Sequence, residues 1–455
     1  MALAFITMLL ISPSLAGYVR GALDFMVPSG AHLSIMEMHP LLFPGGDFSL
    51  WVAWTNYSTA LAAAIIALVI LLKARNRPRG NEVTLFIVWS VTMFVATLLQ
   101  RRFGYYFAID VAVLCGFLVG WLGDRVGIEK QIPVLRQHAA VPAKAKGKSA
   151  ARALQAHRSE QRAAVLKLVV FTAAVAGLLI VPCVDMARNF ATEPGLMTKG
   201  WYETLGWLQS STPEPLDADA YYGLYDEPAD RQPFDYPDSA YGVMAWWDYG
   251  HWITRLGHRI PVANPFQQGA RTAGRFFTAQ AEPDGAALLQ ENGCDYVVVD
   301  AKTAVRTFNG VAGWAGQRET DYYDVYLQRD ASGTWQPLML YYPEYYQTML
   351  ARLYNFGAEA YTPEEYTVIR REPTSSGGPI KNQVADVRRF ATYEEATAFI
   401  AQASEADWRL VGTNPFKSAV PLDALQGFAV AYESEAQAFV EANLLPEVRV
   451  FRFTG

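Results

Sequence analysis

The sequence has 455 residues, 51% hydrophobic and 18% charged, with a formal net charge of -6. That balance is more apolar and less charged than a typical soluble protein, and the negative charge argues against a nucleic-acid partner. The three cysteines, Cys115, Cys183 and Cys294, are too few and too scattered for a disulfide framework.

The apolar excess is concentrated in the first 185 residues. Runs 2–18, 48–72, 83–99, 105–122 and 164–184 approach the roughly 20 residues that cross a bilayer. The first also resembles a signal peptide, with Ser14-Leu15-Ala16 as a cleavage-like site. No basic residue precedes its apolar stretch, so a membrane helix is preferred. Lys73, Arg75, Arg77 and Arg79 and the basic segment 130–162 belong on the cytoplasmic side. Loop 26–47 has neither Lys nor Arg and should face outward, as should the chain after residue 187. The expected protein is a multi-pass component of the cell membrane with its soluble part on the outer face.

Within this half, Arg101 and Arg102 lie at the outer end of a helix, before Phe103-Gly104-Tyr105-Tyr106. They suit simple snorkelling or an anionic headgroup such as a lipid pyrophosphate, which guanidinium grips bidentately. Glu37 follows Ser34-Ile35-Met36 in the outer loop and by itself reads as a solvated carboxylate. Asn56-Tyr57-Ser58 sits inside an apolar run and is not treated as glycosylated. Segment 139–162, rich in Ala, Lys and Arg, reads as a solvated linker.

The soluble half opens with a polar region that is helical in places, and Asp217-Ala218-Asp219 within it reads as a solvated face rather than a metal site. Then comes Trp246-Trp247-Asp248-Tyr249-Gly250, an improbable run by composition. Each indole offers one N–H donor and no acceptor, whereas an ionised carboxylate only accepts. A Ser or Thr hydroxyl has the inverse set, so Trp246, Trp247 and Asp248 could saturate one hydroxyl. Tyr249 and Gly250 would close the turn, the glycine permitting a backbone angle that other residues resist. An aromatic core turn capped by Asp is the plainer alternative.

Downstream, 284–292 reads as a helix, 295–300 as a buried strand, and 344–356 as one helix with core aromatics. Thr392-Tyr393-Glu394-Glu395 fits a capping box opening a helix to residue 401. Segments 366–371, 428–432 and 448–453 read as strands, and 375–379 as a hinge. The fold class is thus a multi-pass α-helical membrane region followed by a mixed α/β extracellular domain with a β-rich tail. Its expected divisions are 1–186 (with outer loop 26–47 and cytoplasmic linker 126–162), 187–373 and 374–455.

These pieces together resemble the catalytic subunit of oligosaccharyltransferase, the enzyme of N-linked protein glycosylation, in its archaeal single-subunit form. The pentapeptide matches that family's signature. Ser34-Ile35-Met36-Glu37 matches its short glutamate motif, and Gln100-Arg101-Arg102-Phe103 with Tyr105-Tyr106 looks like its stretch at the outer end of a late membrane helix. The ending, from Pro421 through Tyr432-Glu433-Ser434 to Val448-Arg449-Val450-Phe451, also looks archaeal.

The resemblance implies a GT-C-type membrane region and metal-dependent, inverting transfer of oligosaccharide. A lipid-linked (dolichyl) phosphate or pyrophosphate would be the donor and Asn in Asn-X-Ser/Thr the acceptor. It implies that Trp246, Trp247 and Asp248 hold the Ser or Thr hydroxyl, that Glu37 contacts the acceptor amide and a Mn2+ or Mg2+ ion, and that Arg102 binds the donor pyrophosphate. An amide nitrogen is a poor nucleophile because resonance holds its lone pair, and carboxylates bonded to its N–H groups weaken that conjugation.

Two departures qualify the match. The family's further metal-binding acids precede its glutamate loop, whereas this membrane half has no Asp-X-Asp and only about one helix before Glu37. It therefore looks like the C-terminal part of such an enzyme, lacking roughly eight of about thirteen helices, as in a split gene, an incomplete sequence or a truncated homologue. A separate chain supplying the missing half would be a partner. The family's Asp-X-X-Lys motif is also not met at Asp300-Ala301-Lys302-Thr303, which leaves open which side chain of 300–314 lines the pocket. The alternative is a non-catalytic, membrane-anchored module that binds sequons. Another polyprenyl-phosphate-sugar transferase would leave the pentapeptide unexplained.

Overall fold

The computed structural model describes residues 17, 21, 36–73, 81–136, 148–192, 197–217, 236–330, 332–374, 380–403 and 407–455. It falls into two compact units, Met1–Gly195 and Leu196–Gly455. The expected first helix, the loop residues up to 35 and the hinge at 375–379 lie outside the described residues.

Among the described residues of the first unit, three helices are long and apolar enough to cross a membrane: Asn81–Leu99, Arg101–Val126 and Leu154–Thr192. The expected span 48–72 is instead two helices, Trp51–Tyr57 and Ala60–Lys73, bent by 85°. The break falls at Ser58, whose φ is 50°. Carbonyls around the break find partners from elsewhere in the unit: Cys183 Sγ lies 3.8 Å from Tyr57 O and Cys115 Sγ 3.5 Å from Ala60 O. In apolar surroundings, freed backbone groups persist only where side chains satisfy them, and a hydropathy pattern cannot register that. The basic segment also differs from the expected linker. From Lys148 it is helical, continuing through a π turn at Ala176–Ile180 into Val181–Thr192.

The second unit is a mixed α/β body. One five-stranded sheet has the order β2-β1-β3-β12-β9, with β2 Ile260–Pro261, β1 Gly242–Met244, β3 Cys294–Asp300, β12 Val448–Phe453 and β9 Phe428–Glu433. β1 pairs parallel with β2 and β3, whereas β12 runs antiparallel to both β3 and β9. Val297, Val298 and Val299 are buried on both faces of β3, as a central strand covered on each side requires.

The second sheet has the order β5-β4-β7-β6-β8, from β4 Tyr323–Arg329, β5 Trp335–Tyr341, β6 Tyr366–Pro373, β7 Asn382–Phe390 and β8 Trp408–Val411. The tail beyond residue 374 therefore does not stand apart as expected. It contributes β7 and β8 to one sheet and β9 and β12 to the other. Its remaining strands, β10 Gln437–Val440 and β11 Asn443–Pro446, form a separate hairpin.

The expected helix 284–292 is Glu282–Glu291, and the capped helix is Tyr393–Gln402, where Thr392 Oγ1 accepts from Glu395 N at 3.2 Å. The expected helix 344–356 is broken into Pro343–Gln347 and Met349–Tyr354. Thr348 at the break is extended and caps the second piece, accepting from Ala351 N at 3.2 Å. Met349 N meanwhile donates to Ala279 O in another segment at 2.8 Å.

Arg259, fully buried, fastens helix Lys199–Ser211 to the start of β2. Its guanidinium donates to Thr212 Oγ1 at 2.6 Å, Thr212 O at 2.8 Å and Gln209 O at 3.2 Å. Removing it strands buried carbonyls. Arg259→Met should cost about 2–4 kcal/mol, read as a lowered unfolding temperature of the detergent-solubilised protein. An unchanged transition would contradict this role for Arg259.

Candidate functional site

The pentapeptide folds as a one-turn 3-10 helix, Trp247–Tyr249, running directly into helix Gly250–Arg255. It follows the end of β1, so the central sheet sets its position. Gly250 has an ordinary helical φ of -55°, which corrects the expectation of a special backbone angle. The reason for glycine is space: a Cβ there would lie 2.2 Å from Ala263 O and 2.6 Å from Asn264 Cα.

Tyr249 faces inward, stacked on Trp201 with ring centroids 4.0 Å apart. Its hydroxyl donates to Asp300 Oδ2 at 2.5 Å. The same oxygen accepts from Trp201 Nε1 at 3.0 Å, while Oδ1 accepts from Thr303 N at 3.0 Å. Burial, reinforced by the Asp300 charge, pushes the Tyr249 phenol well above its ordinary range, so it stays protonated and remains a donor.

After Asp300 the chain makes a π turn, Lys302–Arg306, and then helix Phe308–Ala315. Tyr345 donates to Ala304 O within that turn at 3.1 Å. The turn brings Lys302 Nζ within 3.5 Å of Asp248 Oδ2, and the following helix brings the Trp314 ring to 6.3 Å from that of Trp247. From 300–314, the side chains of Asp300, Lys302 and Trp314 thus reach the motif. Sequence reasoning left these unassigned. The signal that could have found them is the acid ending a valine-rich strand, followed within two residues by a base.

Trp246 and Trp247 are buried, and Asp248 keeps 32% of its side-chain surface exposed. Desolvation raises the Asp248 carboxyl above its usual value, partly offset by the Lys302 charge, and the Asp300 charge raises it further. The indole Nε1 of Trp247 is buried and has no hydrogen-bond partner among the described residues. A donor buried without a partner is rare in native proteins and calls for an explanation. The next residue of the turn, Asp248, is an acceptor carboxylate with part of its surface open. One hydroxyl bridging the two would satisfy both.

The other predicted residues lie in the first unit. Glu37, in the 3-10 turn Met36–Met38, pairs with Arg102, in the 3-10 turn Arg101–Phe103, at 2.6 Å. Backbone bonds hold the two turns together, Arg101 N to His39 O at 3.0 Å and Leu41 N to Leu98 O at 3.2 Å. Expected in separate roles, the acid and the base meet directly. A divalent cation needs several oxygen ligands, and among the described residues no three His, Cys, Asp or Glu side chains could hold one. The residues present do not by themselves fit the expected ion.

Residues 198–304 match the family model described as the AglB core domain. Dolichyl-phosphooligosaccharide-protein glycotransferase 3 of Archaeoglobus fulgidus is 30% identical over 381 residues, covering 76% of this chain and 41% of that protein. The dolichyl-monophosphooligosaccharide–protein glycotransferase AglB of Haloferax volcanii is 28% identical over 465 residues, covering 94% and 41% respectively. The fold is similar to that of the apo Archaeoglobus fulgidus oligosaccharyltransferase, with a TM-score of 0.62, 21% identity, and 97% of this chain and 51% of that chain covered. The Archaeoglobus fulgidus AglB in complex with an inhibitory peptide and a dolichol-phosphate gives a TM-score of 0.62 at 22% identity, covering 99% and 52%. A further structure of the Archaeoglobus fulgidus enzyme is a complex with zinc and sulfate. By sequence and by fold, this chain is a relative of the archaeal oligosaccharyltransferases and spans 41% of the length of the curated relatives it matches.

Proposed function

We propose that this chain serves N-glycosylation by reading the acceptor sequon, with Trp247 and Asp248 clasping the Ser or Thr hydroxyl of Asn-X-Ser/Thr and Trp246 walling the same pocket. The observation that carries the reading is the buried Trp247 Nε1–H, without a partner among the described residues, in the same turn as the partly open Asp248 carboxylate. A buried donor left unpaired costs about 1–3 kcal/mol. A substrate hydroxyl removes that cost, and a Val at the same position restores it, so the pocket discriminates by hydrogen bonding rather than by size.

On this reading the donor is a lipid-linked oligosaccharide and Arg102 receives its phosphate or pyrophosphate oxygens, exchanging the Glu37 carboxylate for them. Glu37, released, becomes available as a hydrogen-bond acceptor. Transfer forms a bond from the asparagine nitrogen to the anomeric carbon, with inversion, and breaks the bond from that carbon to the phosphate oxygen, which leaves with the bonding pair while one amide proton passes to solvent. Glu37 alone is no cation site, so a Mg2+ or Mn2+ ion would require carboxylates from a further segment or a separate chain. The soluble unit, on this reading, works at the outer face of the cell membrane.

Two outcomes follow. Trp247→Phe keeps the ring and deletes the donor, and should weaken binding of an Asn-Val-Thr peptide about tenfold. Binding of Asn-Val-Val should hardly change, with both measured by calorimetry on the full chain. An equal loss for both peptides would remove the hydroxyl from the account.

The second outcome concerns pH. Binding needs an ionised Asp248 to accept the hydroxyl proton, so affinity should fall as pH drops through its raised value. The Lys302 charge lowers that value, so Lys302→Met should shift the midpoint of the binding profile to higher pH. The stability linkage has the opposite sense. With the folded value above the unfolded one, Asp248 contributes stability at low pH that is lost as pH rises through the folded value. A midpoint unmoved in Lys302→Met would contradict the coupling.

A further inference from the structure

Beside the hydroxyl-reading turn lies an exposed aromatic edge that the reading above does not use. Phe266 is 77% exposed, yet its backbone is fixed in a closed loop. Asn264 Oδ1 accepts from Phe266 N at 2.9 Å, Asn264 N donates to Gln268 O at 3.0 Å, and Gln267 N donates to Asn264 O at 2.8 Å. The loop closes at Gly269, with φ 72°, where a Cβ would lie 1.9 Å from Val262 O. Its other end presses on the motif itself, through the Gly250 contact with Ala263 and Asn264. The Phe266 ring stands edge-on to His251 at 5.1 Å, and His251 is itself exposed.

The position of His251 makes this edge continuous with the pocket. It follows Asp248 by three residues and Trp247 by four within one unbroken helical stretch. Residues at those spacings share a helix face, with Cβ atoms about 5–6 Å apart. Asp248, His251 and Phe266 thus form a short path over the surface. An extended peptide advances about 3.3 Å per residue, so this path is as long as about three residues of substrate.

We infer that Phe266 and His251 form a subsite for an apolar or aromatic side chain of the acceptor polypeptide within three positions of the sequon hydroxyl. The inference rests on the proposed reading of Trp247 and Asp248 and extends it from the sequon to its flank. A rigid loop presents the ring without an ordering cost at binding. The exposed aromatic is then a recognition element, which a core turn would not need.

The test uses the full chain in detergent and Asn-Val-Thr peptides carrying Tyr or Ala at each of three positions on either side of the sequon. The wild type should bind the Tyr peptide about threefold to tenfold more tightly than the Ala peptide at one or more of those positions, as an added aromatic contact provides. Phe266→Ala should bring that ratio to about one. Phe439→Ala, an equally exposed phenylalanine on the β10–β11 hairpin, should leave it unchanged. A ratio that survives Phe266→Ala, or the absence of any flank preference while Thr is still favoured over Val, overturns the subsite alone. If Thr and Val peptides bind alike, the hydroxyl reading fails and the subsite falls with it.

Discussion

The buried carboxylate of Asp300 holds the candidate site together. It accepts from Trp201 in helix Lys199–Ser211, from Tyr249 in the tryptophan motif and from Thr303 at the start of the π turn. A carboxylate taken from water is costly unless its oxygens are occupied, and here all three donors come from segments that must converge for the site to exist. The next backbone group continues the pattern, since Ala301 N donates to Glu447 O beside β12 at 3.0 Å. The acid at the end of β3 therefore ties helix, motif and π turn together, and the backbone bond after it adds the segment leading into β12. Its charge also acts through space, raising the carboxyl of Asp248.

With the turn so anchored, the pocket groups are left deliberately unspent. Tyr249 is consumed by structure, whereas among the described residues Trp247 Nε1 has no partner and Asp248 has Lys302 alone, at 3.5 Å. Within the pentapeptide, Tyr249 turns inward to Asp300, while Asp248 keeps part of its surface open. In the first unit the same economy is met differently. Glu37 and Arg102 neutralise one another across two short turns, with 51% and 26% of their side-chain surface exposed. A pair this accessible contributes little to stability, so either member can exchange its partner for a ligand at small cost.

Much of this was legible in the sequence because it is local. The valine run of β3, the Thr392 cap and the turn at Trp246–Gly250 each follow from neighbouring residues. What escaped reading depends on distant contacts. The bend at Ser58 is sustained by Cys183, Cys115 and the Leu178 carbonyl, which accepts from Thr59. Thr348 breaks a helix whose apolar spacing reads as continuous, because Met349 N is engaged elsewhere. Gly250 looked like a conformational requirement and is a steric one, visible only when the 263–264 backbone is seen against it. Where Lys302 and Phe266 end up depends on a π turn and a closed loop, although the acid–base spacing at the end of β3 is itself local.

The central claim is that one indole N–H waits for a substrate hydroxyl. The most direct measurement is the 15N-indole NMR resonance of Trp247, assigned by its loss in Trp247→Phe, during titration with Asn-Val-Thr and with Asn-Val-Val peptides. The account predicts a downfield proton shift with the Thr peptide, as the N–H gains an acceptor, and no such shift with the Val peptide. A resonance that ignores both peptides, or moves equally with each, would contradict it.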